Sequence, residues 1–186
     1  MSLLEISILL LTLFLLITIV WTTFRVGISP MPSSAKAYHA ISRLLDDTGK
    51  GAIYDLGSGW GTLVIRIAKS HPERQVIGYE LSLFPYLMSR LVKRLMGLKN
   101  LKLYRQDFLR ADLNEASVLV CYLYPDAMCK LAQLIEHQTH NLKPDFVISN
   151  NFALPYCKPD RLIRINDLYR SPVYRYDLSL PPKKNN

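Results

Sequence analysis

The sequence predicts an α/β fold, in which a doubly wound, mostly parallel sheet of seven strands carries helices on both faces. Short apolar runs alternate with helical stretches from residue 52 onward, and parallel strands need such helical crossovers between them. The last two strand-like runs have no helix between them, which is typical of an antiparallel closing pair. The chain has 186 residues, of which 49% are hydrophobic, enough for the core of one ordinary domain.

The strands and helices follow from apolar periodicity and from the turn residues between the runs. The predicted strands are 52–56, 75–80, 101–106, 117–123, 145–149, 161–166 and 172–179. The predicted helices between them lie near 61–70, 83–96 and 125–140. One further helix precedes the first strand. It runs to about Asp47 and is capped by Ser33 or Ser34, whose hydroxyl can accept a backbone hydrogen bond.

A separate apolar segment precedes the α/β part. Ile6 to Phe24 contains no charged residue, and as a helix of about 28 Å it matches the hydrocarbon thickness of a bilayer. A secretory signal peptide is less favoured, because Met1–Glu5 carries an acid and no basic residue. Since Arg25, Lys36 and Arg43 follow the segment, the positive-inside rule predicts a single-pass membrane protein whose main domain lies on the cytoplasmic side.

These observations divide the chain into four parts. We expect a transmembrane anchor at 1–26, a Pro/Ser linker at 27–34, the α/β domain at 35–182 and a polar tail at 183–186.

Charge and potential metal ligands limit the classes of partner. The net charge is +8, but the basic residues are scattered, so we expect no nucleic acid partner. The densest group, Arg90, Lys93 and Arg94, has helical spacing and indicates a solvated helix face, with an anionic partner or membrane surface as the alternative. His137 and His140 are too few ligands for a metal site, so no metal is expected.

A glycine-rich turn follows the first predicted strand. Its residues are Asp55, Leu56, Gly57, Ser58, Gly59, Trp60 and Gly61. Turns of this kind hold the polar part of a nucleotide-like ligand, because glycine allows a close approach of the backbone. The third glycine is one residue too early for a dinucleotide motif, and no Gly-Lys-Ser/Thr follows as in a P-loop. The pattern therefore favours a nucleoside cofactor without phosphates.

Acidic residues also follow the next two strands. Glu80 ends the second predicted strand, and Asp107 and Phe108 follow the third. Ligands of such sheets bind at the carboxyl ends of the strands, where a carboxylate suits a ribose diol. Asp107 with Phe108 suits a purine: the carboxylate accepts a hydrogen bond from the exocyclic amine, and the phenyl group covers one face of the ring. Singly, Glu80 is equally a helix cap and Asp107 a turn residue, but acids at three successive strand ends favour a cofactor site.

This arrangement resembles the class I, seven-stranded, Rossmann-like S-adenosylmethionine-dependent methyltransferases over roughly residues 35–180. The resemblance implies S-adenosyl-L-methionine as cofactor, with its methionine part at the glycine turn, its ribose at Glu80 and its adenine at Asp107 and Phe108. The residues then expected to bind it are Asp55, Gly57, Ser58, Gly59, Gly61, Glu80, Asp107 and Phe108.

The segment after the fourth strand is where this family places residues that face the acceptor. Members that methylate base amino groups carry Asn/Asp-Pro-Pro-Tyr/Phe/Trp there, whereas this chain has Tyr122-Leu123-Tyr124-Pro125. Methylation of adenine or cytosine is therefore not expected, and Asn150-Asn151-Phe152 after the fifth strand is not that motif either. Tyr122 and Tyr124 are candidates for the wall of an acceptor channel, with a place in the core as the alternative.

Within the class, the chain is similar to the membrane-anchored protein-lysine methyltransferases related to the ATP synthase c-subunit lysine methyltransferase. Besides the apolar N-terminus and the glycine turn, the similarity rests on Gly78–Leu81, Tyr124–Met128, Phe152–Pro155 and Val173–Asp177. It implies a protein lysine as acceptor, methylated near a membrane. Trp60 replaces the Asp common in that group and also occurs in lipid-modifying enzymes, so a small lipid or quinone acceptor stays open, as does a non-catalytic binding module.

Overall fold

The computed structural model describes residues 2–26, 34–137 and 144–179, apart from the side chains of 15, 18–26 and 137. Most of the predicted linker, the polar tail, His140 and the end of the predicted helix 125–140 lie outside the described residues.

Five α-helices and seven β-strands make up the described part of the chain. The helices are α1 Leu3–Val26, α2 Ala35–Leu45, α3 Thr62–Ser70, α4 Leu83–Leu95 and α5 Pro125–His137. The strands are β1 Ala52–Leu56, β2 Val76–Tyr79, β3 Leu101–Tyr104, β4 Ala116–Cys121, β5 Phe146–Asn150, β6 Arg161–Arg164 and β7 Pro172–Asp177. A 3-10 turn at Phe108–Arg110, which the sequence reading does not include, follows β3.

The strands form one sheet in the order β3-β2-β1-β4-β5-β7-β6. The neighbours from β3 to β5 pair in parallel, and β7 pairs antiparallel with both β5 and β6. The predicted α/β fold with seven strands and a closing antiparallel pair is therefore confirmed. Four predicted strands run two residues too far, because the observed strands end at Tyr104 in β3, Cys121 in β4, Arg164 in β6 and Asp177 in β7.

Helices cover both faces of the sheet, as a doubly wound fold requires. Alternate side chains of β1 point to opposite faces: Ile53 packs with α2 and α3, whereas Tyr54 packs with α5. We call these the α2 face and the α5 face. On the α2 face, Ser34 caps α2 as predicted, and its hydroxyl accepts a 3.1 Å hydrogen bond from the Ala37 amide. The cap fixes the start of the helix that covers β5 and β7.

The membrane expectation for the N-terminus is wrong. Among the described residues, no helix combines the length and the apolar character needed to cross a bilayer. The predicted single-pass location, with the α/β domain on the cytoplasmic side, is therefore overturned, and the predicted transmembrane helix is without support.

Candidate functional site

The predicted site residues lie along one edge of the sheet. The carboxyl ends of β3, β2, β1 and β4 are neighbours in that order, so Asp107, Glu80, the glycine turn and Tyr122 follow one another along this edge. The chain crosses over between β1 and β4, which are adjacent in the sheet but distant in sequence. Ligands of open α/β sheets bind in the crevice at such a switch point.

The glycine turn is bonded to the end of the neighbouring strand. The amides of Gly57 and Ser58 both donate to the Tyr79 carbonyl, at 3.0 and 2.8 Å, and the Gly61 amide donates to the Ser58 carbonyl at 2.9 Å. All three glycines of the turn have positive φ angles of 53° to 80°. The bonds to Tyr79 hold the turn rigidly beside the residue that follows, Glu80.

Two glycines are required by close packing around this turn. A Cβ atom at Gly61, where φ is +78°, would lie 2.7 Å from the Cβ of Ser89 in α4. At Gly78, a Cβ would lie 3.1 Å from the Oγ of Ser58 and 2.8 Å from Leu103. The Ser58 side chain therefore lies against β2 beneath the turn. Sequence reasoning did not assign this role to Gly78, although a glycine inside a strand often signals a close approach.

The Glu80 carboxylate links the glycine turn to the start of α4. It is only 8% exposed, and it accepts hydrogen bonds from the Gly59 amide at 2.8 Å and from the Ser82 amide at 2.7 Å. A carboxylate has about four lone-pair positions, so two remain for further donors such as ribose hydroxyl groups. The two backbone bonds orient the carboxylate before any ligand arrives.

Asp55 is a buried carboxylate with an unpaired oxygen. It is 3% exposed, and its Oδ2 has no hydrogen-bond partner among the described residues. Burial, with a smaller contribution from the negative charge of Glu80, raises the pKa of Asp55 to about 7. A positively charged ligand group would offset this burial cost, because an opposite charge stabilises the ionised carboxylate.

Asp107 and Phe108 lie at the third strand end. The Asp107 carboxylate accepts a 3.0 Å hydrogen bond from the Leu109 amide and so caps the 3-10 turn. Phe108 is partly buried and packs against the core on the α5 face. Both residues thus have a structural role here, and their contact with a purine stays a prediction.

The structure separates the two predicted acceptor-side tyrosines. The ring of Tyr122 stacks on Phe152, with 6.3 Å between centroids and 22° between planes. Tyr124 is not a member of that stacked pair; like Phe152 it packs against the core on the α5 face, and its carbonyl accepts a hydrogen bond from the Met128 amide in α5. The sequence reading did not include Phe152 as a site residue. The sequence gives only a weak indication of this role, namely an aromatic residue two positions after the end of β5, the strand that pairs with β4.

The remaining candidates contribute less to the site. Trp60 packs edge-on against Phe84, with 5.6 Å between ring centroids. This residue, on which the lipid or quinone alternative rests, therefore covers the start of α4. Within the part of the chain that the structure describes, no three His, Cys, Asp or Glu side chains gather as a metal ion would require.

Comparisons with known proteins agree with this geometry. Residues 55–161 match the family described as the ANTKMT methyltransferase domain. An RNA methyltransferase from Salinibacter ruber, solved with S-adenosyl-L-homocysteine, is 28% identical with a TM-score of 0.69, covering 84% of this chain and 100% of its own. The magnesium protoporphyrin IX methyltransferase of Synechocystis PCC 6803, solved with S-adenosylmethionine, is 13% identical with a TM-score of 0.58, covering 76% and 79%. No curated protein matches the sequence.

The site residues fit S-adenosylmethionine. The unpaired Asp55 oxygen suits the positively charged methionine part, and the free lone pairs of Glu80 suit the ribose diol. No arginine or lysine is needed, because this cofactor carries no phosphate. The residue set predicted from the sequence is therefore chemically consistent along β1, β2 and β3, and each single contact stays a prediction.

Proposed function

Since the chain belongs to the ANTKMT methyltransferase domain family and is an S-adenosylmethionine-dependent methyltransferase, we propose that it methylates the side-chain nitrogen of a protein lysine. The observation that supports this acceptor is the stacked pair of Tyr122 and Phe152. The pair lies at the carboxyl ends of β4 and β5, directly beside the edge that carries the cofactor residues. Aromatic faces attract ammonium and methylammonium groups.

For this reaction the protein must chiefly position the cofactor and the acceptor nitrogen and remove the amine from water. When bound, S-adenosylmethionine supplies an electrophilic methyl group to a nitrogen lone pair. The glycine turn and Glu80 hold their geometry through backbone hydrogen bonds, and such orientation lowers the barrier by several kcal/mol. A lysine must lose its proton to react, and removal from water beside Tyr122 and Phe152 lowers the pKa of the amine. We assign no general base.

The test is to follow a labelled methyl group into each class of acceptor. Cell extract is incubated with purified protein and methyl-labelled S-adenosylmethionine, and then separated into protein, nucleic acid and organic-solvent fractions. We expect label in protein, released as methyl-lysine on acid hydrolysis. The Gly57→Arg variant is the control, because a large side chain at this turn position, where φ is +80°, should abolish cofactor binding and labelling together.

An RNA acceptor is the second candidate, favoured by the 28% identity with the Salinibacter ruber RNA methyltransferase over its whole length. Label in the nucleic acid fraction would establish it and overturn the lysine proposal. Label in the organic phase would instead establish the lipid or quinone acceptor. Cofactor binding without any labelled product would favour a non-catalytic binding module.

A further inference from the structure

A buried side-chain amide oxygen lies at the carboxyl ends of β4 and β5, the acceptor end of the sheet, without a hydrogen-bond partner among the described residues. Asn150 is the last residue of β5 and is only 6% exposed. Its Oδ1 accepts no hydrogen bond from any described residue. Leaving a buried polar atom unpaired is unfavourable, so such an atom in a native fold requires an explanation.

The strand register places this amide next to the cofactor edge. Asp55 of β1 is in register with Val120 of β4, and Val120 with Ile148 of β5. Side chains in one register row share a face, and residues two apart on a strand share it as well. Asn150 therefore lies on the same face as Asp55, about 6.6 Å closer to the carboxyl edge.

The backbone around Asn150 is held by its neighbours. Asn151 adopts a φ of +71° and donates its amide to the Pro172 carbonyl at 2.8 Å. The Phe152 amide returns a 2.9 Å bond to the Asn150 carbonyl, and the Leu154 amide donates to the buried Tyr176 hydroxyl at 2.8 Å. The unpaired amide is therefore on a fixed segment and not on a free loop.

The aromatic pair completes the surroundings. Tyr122 follows Cys121, whose register partner Ser149 precedes Asn150, so Tyr122 and Asn150 occupy neighbouring positions where β4 and β5 end. Phe152, which stacks on Tyr122, lies two residues after Asn150. The aromatic pair and the unpaired oxygen thus lie near one another where β4 and β5 end, with Asn150 on the α2 face and Phe152 packed against the core on the α5 face.

We propose that the Asn150 Oδ1 accepts a hydrogen bond from the acceptor nitrogen and selects an amine over a group that has no hydrogen-bond donor. This inference rests on the proposed lysine function. The amide oxygen is uncharged, so it orients an N–H group without stabilising the ammonium form as strongly as a carboxylate would. A neutral amine held in this way keeps its lone pair free for the methyl group.

Binding of matched cofactor analogues tests this role without knowledge of the acceptor protein. Two adenosylmethionine analogues carry nitrogen in place of sulfur, one with a 3-aminopropyl arm and one with a butyl arm of nearly equal size. Their affinities are measured by calorimetry for wild type, Asn150→Ala and Asn150→Asp, with the exposed Asn114→Ala as control. Thermal melting checks that each variant is folded.

We expect wild type and Asn114→Ala to bind the aminopropyl analogue more tightly than the butyl one. Asn150→Ala should lose about tenfold or more of that preference while its affinity for the butyl analogue changes less than about twofold. Asn150→Asp should retain the preference, because an acceptor oxygen remains. An undiminished preference in Asn150→Ala overturns the inference alone. No preference in folded wild type overturns the amine acceptor itself, and failure to bind either analogue contradicts the cofactor site.

Discussion

The two halves of the site edge differ in how their polar atoms are paired. At the ends of β1 to β3, Glu80 and Asp107 accept backbone hydrogen bonds and the glycine turn is bonded to Tyr79, and Asp55 alone of the three acids keeps a buried oxygen without a partner among the described residues. At the ends of β4 and β5, two aromatic rings stack and the oxygen of Asn150 has no partner among the described residues. The half predicted to bind the cofactor is thus largely preorganised by backbone hydrogen bonds, whereas the half proposed to face the acceptor offers two aromatic rings and one unpaired hydrogen-bond acceptor.

The glycine turn gives the largest expected effect. A Gly61→Ala substitution places a Cβ atom 2.7 Å from Ser89 and forces a left-handed backbone on alanine. Overpacking and positive φ each cost about 1–3 kcal/mol, so we expect a loss of about 2–5 kcal/mol in the free energy of unfolding, measured with urea. S-adenosylhomocysteine binding should weaken with it.

Gly97→Ala is the matched control for this variant. Gly97 has a φ of +64°, but no atom lies within 4 Å of its added Cβ. It should therefore lose only the backbone part, about 1–2 kcal/mol. Equal losses in the two variants would show that packing against α4 contributes nothing, and the turn would then be less rigid than we infer.

Replacement of Asp55 should raise the stability of the fold and weaken cofactor binding at the same time. The pKa of Asp55 is raised to about 7 in the folded chain, from 3.8, so the folded state holds the proton more tightly than the unfolded state. The free energy of unfolding is therefore highest with respect to Asp55 below about pH 4, falls as the pH rises to about 7, and is level above it. We expect Asp55→Asn to be more stable than wild type at pH 8, by about 2–4 kcal/mol, and to bind S-adenosylhomocysteine more weakly.

Urea unfolding at pH 5 and pH 8, with calorimetry at pH 8, checks the Asp55 prediction. Asp112→Asn, an exposed change, should leave both the pH dependence and the affinity near those of wild type. If Asp55→Asn were less stable than wild type at pH 8, the ionised carboxylate would stabilise the fold. The description of Asp55 as a buried charge without a partner would then be wrong.

The difference between the two halves also explains what sequence could predict. Glycines, acids and strand ends have local signatures, so the sequence predicts the positions of β1, Asp55, Glu80 and Asp107 along the edge, and their contacts with a cofactor stay predictions. Tyr122 and Tyr124 have similar sequence surroundings. Their different positions become clear only once β4 is known to end at Cys121, directly before Tyr122. Phe152 and Asn150 depend on which strand lies beside β4, and no local pattern carries that information. For α1, the apolar composition alone led to the wrong membrane location.

Glu80→Gln tests whether the carboxylate holds the turn. A side-chain amide keeps one acceptor oxygen, so either the Gly59 or the Ser82 amide loses its partner. An unsatisfied buried donor costs about 1–3 kcal/mol, and we expect roughly a tenfold to hundredfold weaker affinity for S-adenosylhomocysteine by calorimetry. Glu73→Gln changes an exposed carboxylate that pairs with His71 and should bind as wild type does. Equal affinities in all three proteins would remove Glu80 from the cofactor site.

The smallest expected effect separates the two tyrosines. Tyr122 presents its ring beside Phe152, so Tyr122→Leu removes one aromatic face from the acceptor end. An ammonium over such a face gains about 0.5–2 kcal/mol, and affinity for the 3-aminopropyl analogue should fall about threefold to tenfold, while affinity for the butyl analogue stays within about twofold. Tyr124→Leu, in the core on the α5 face, should reduce thermal stability without changing the ratio of the two affinities. A change of that ratio in Tyr124→Leu alone would place the acceptor beside Tyr124, and the role assigned to Tyr122 would then have to be given up.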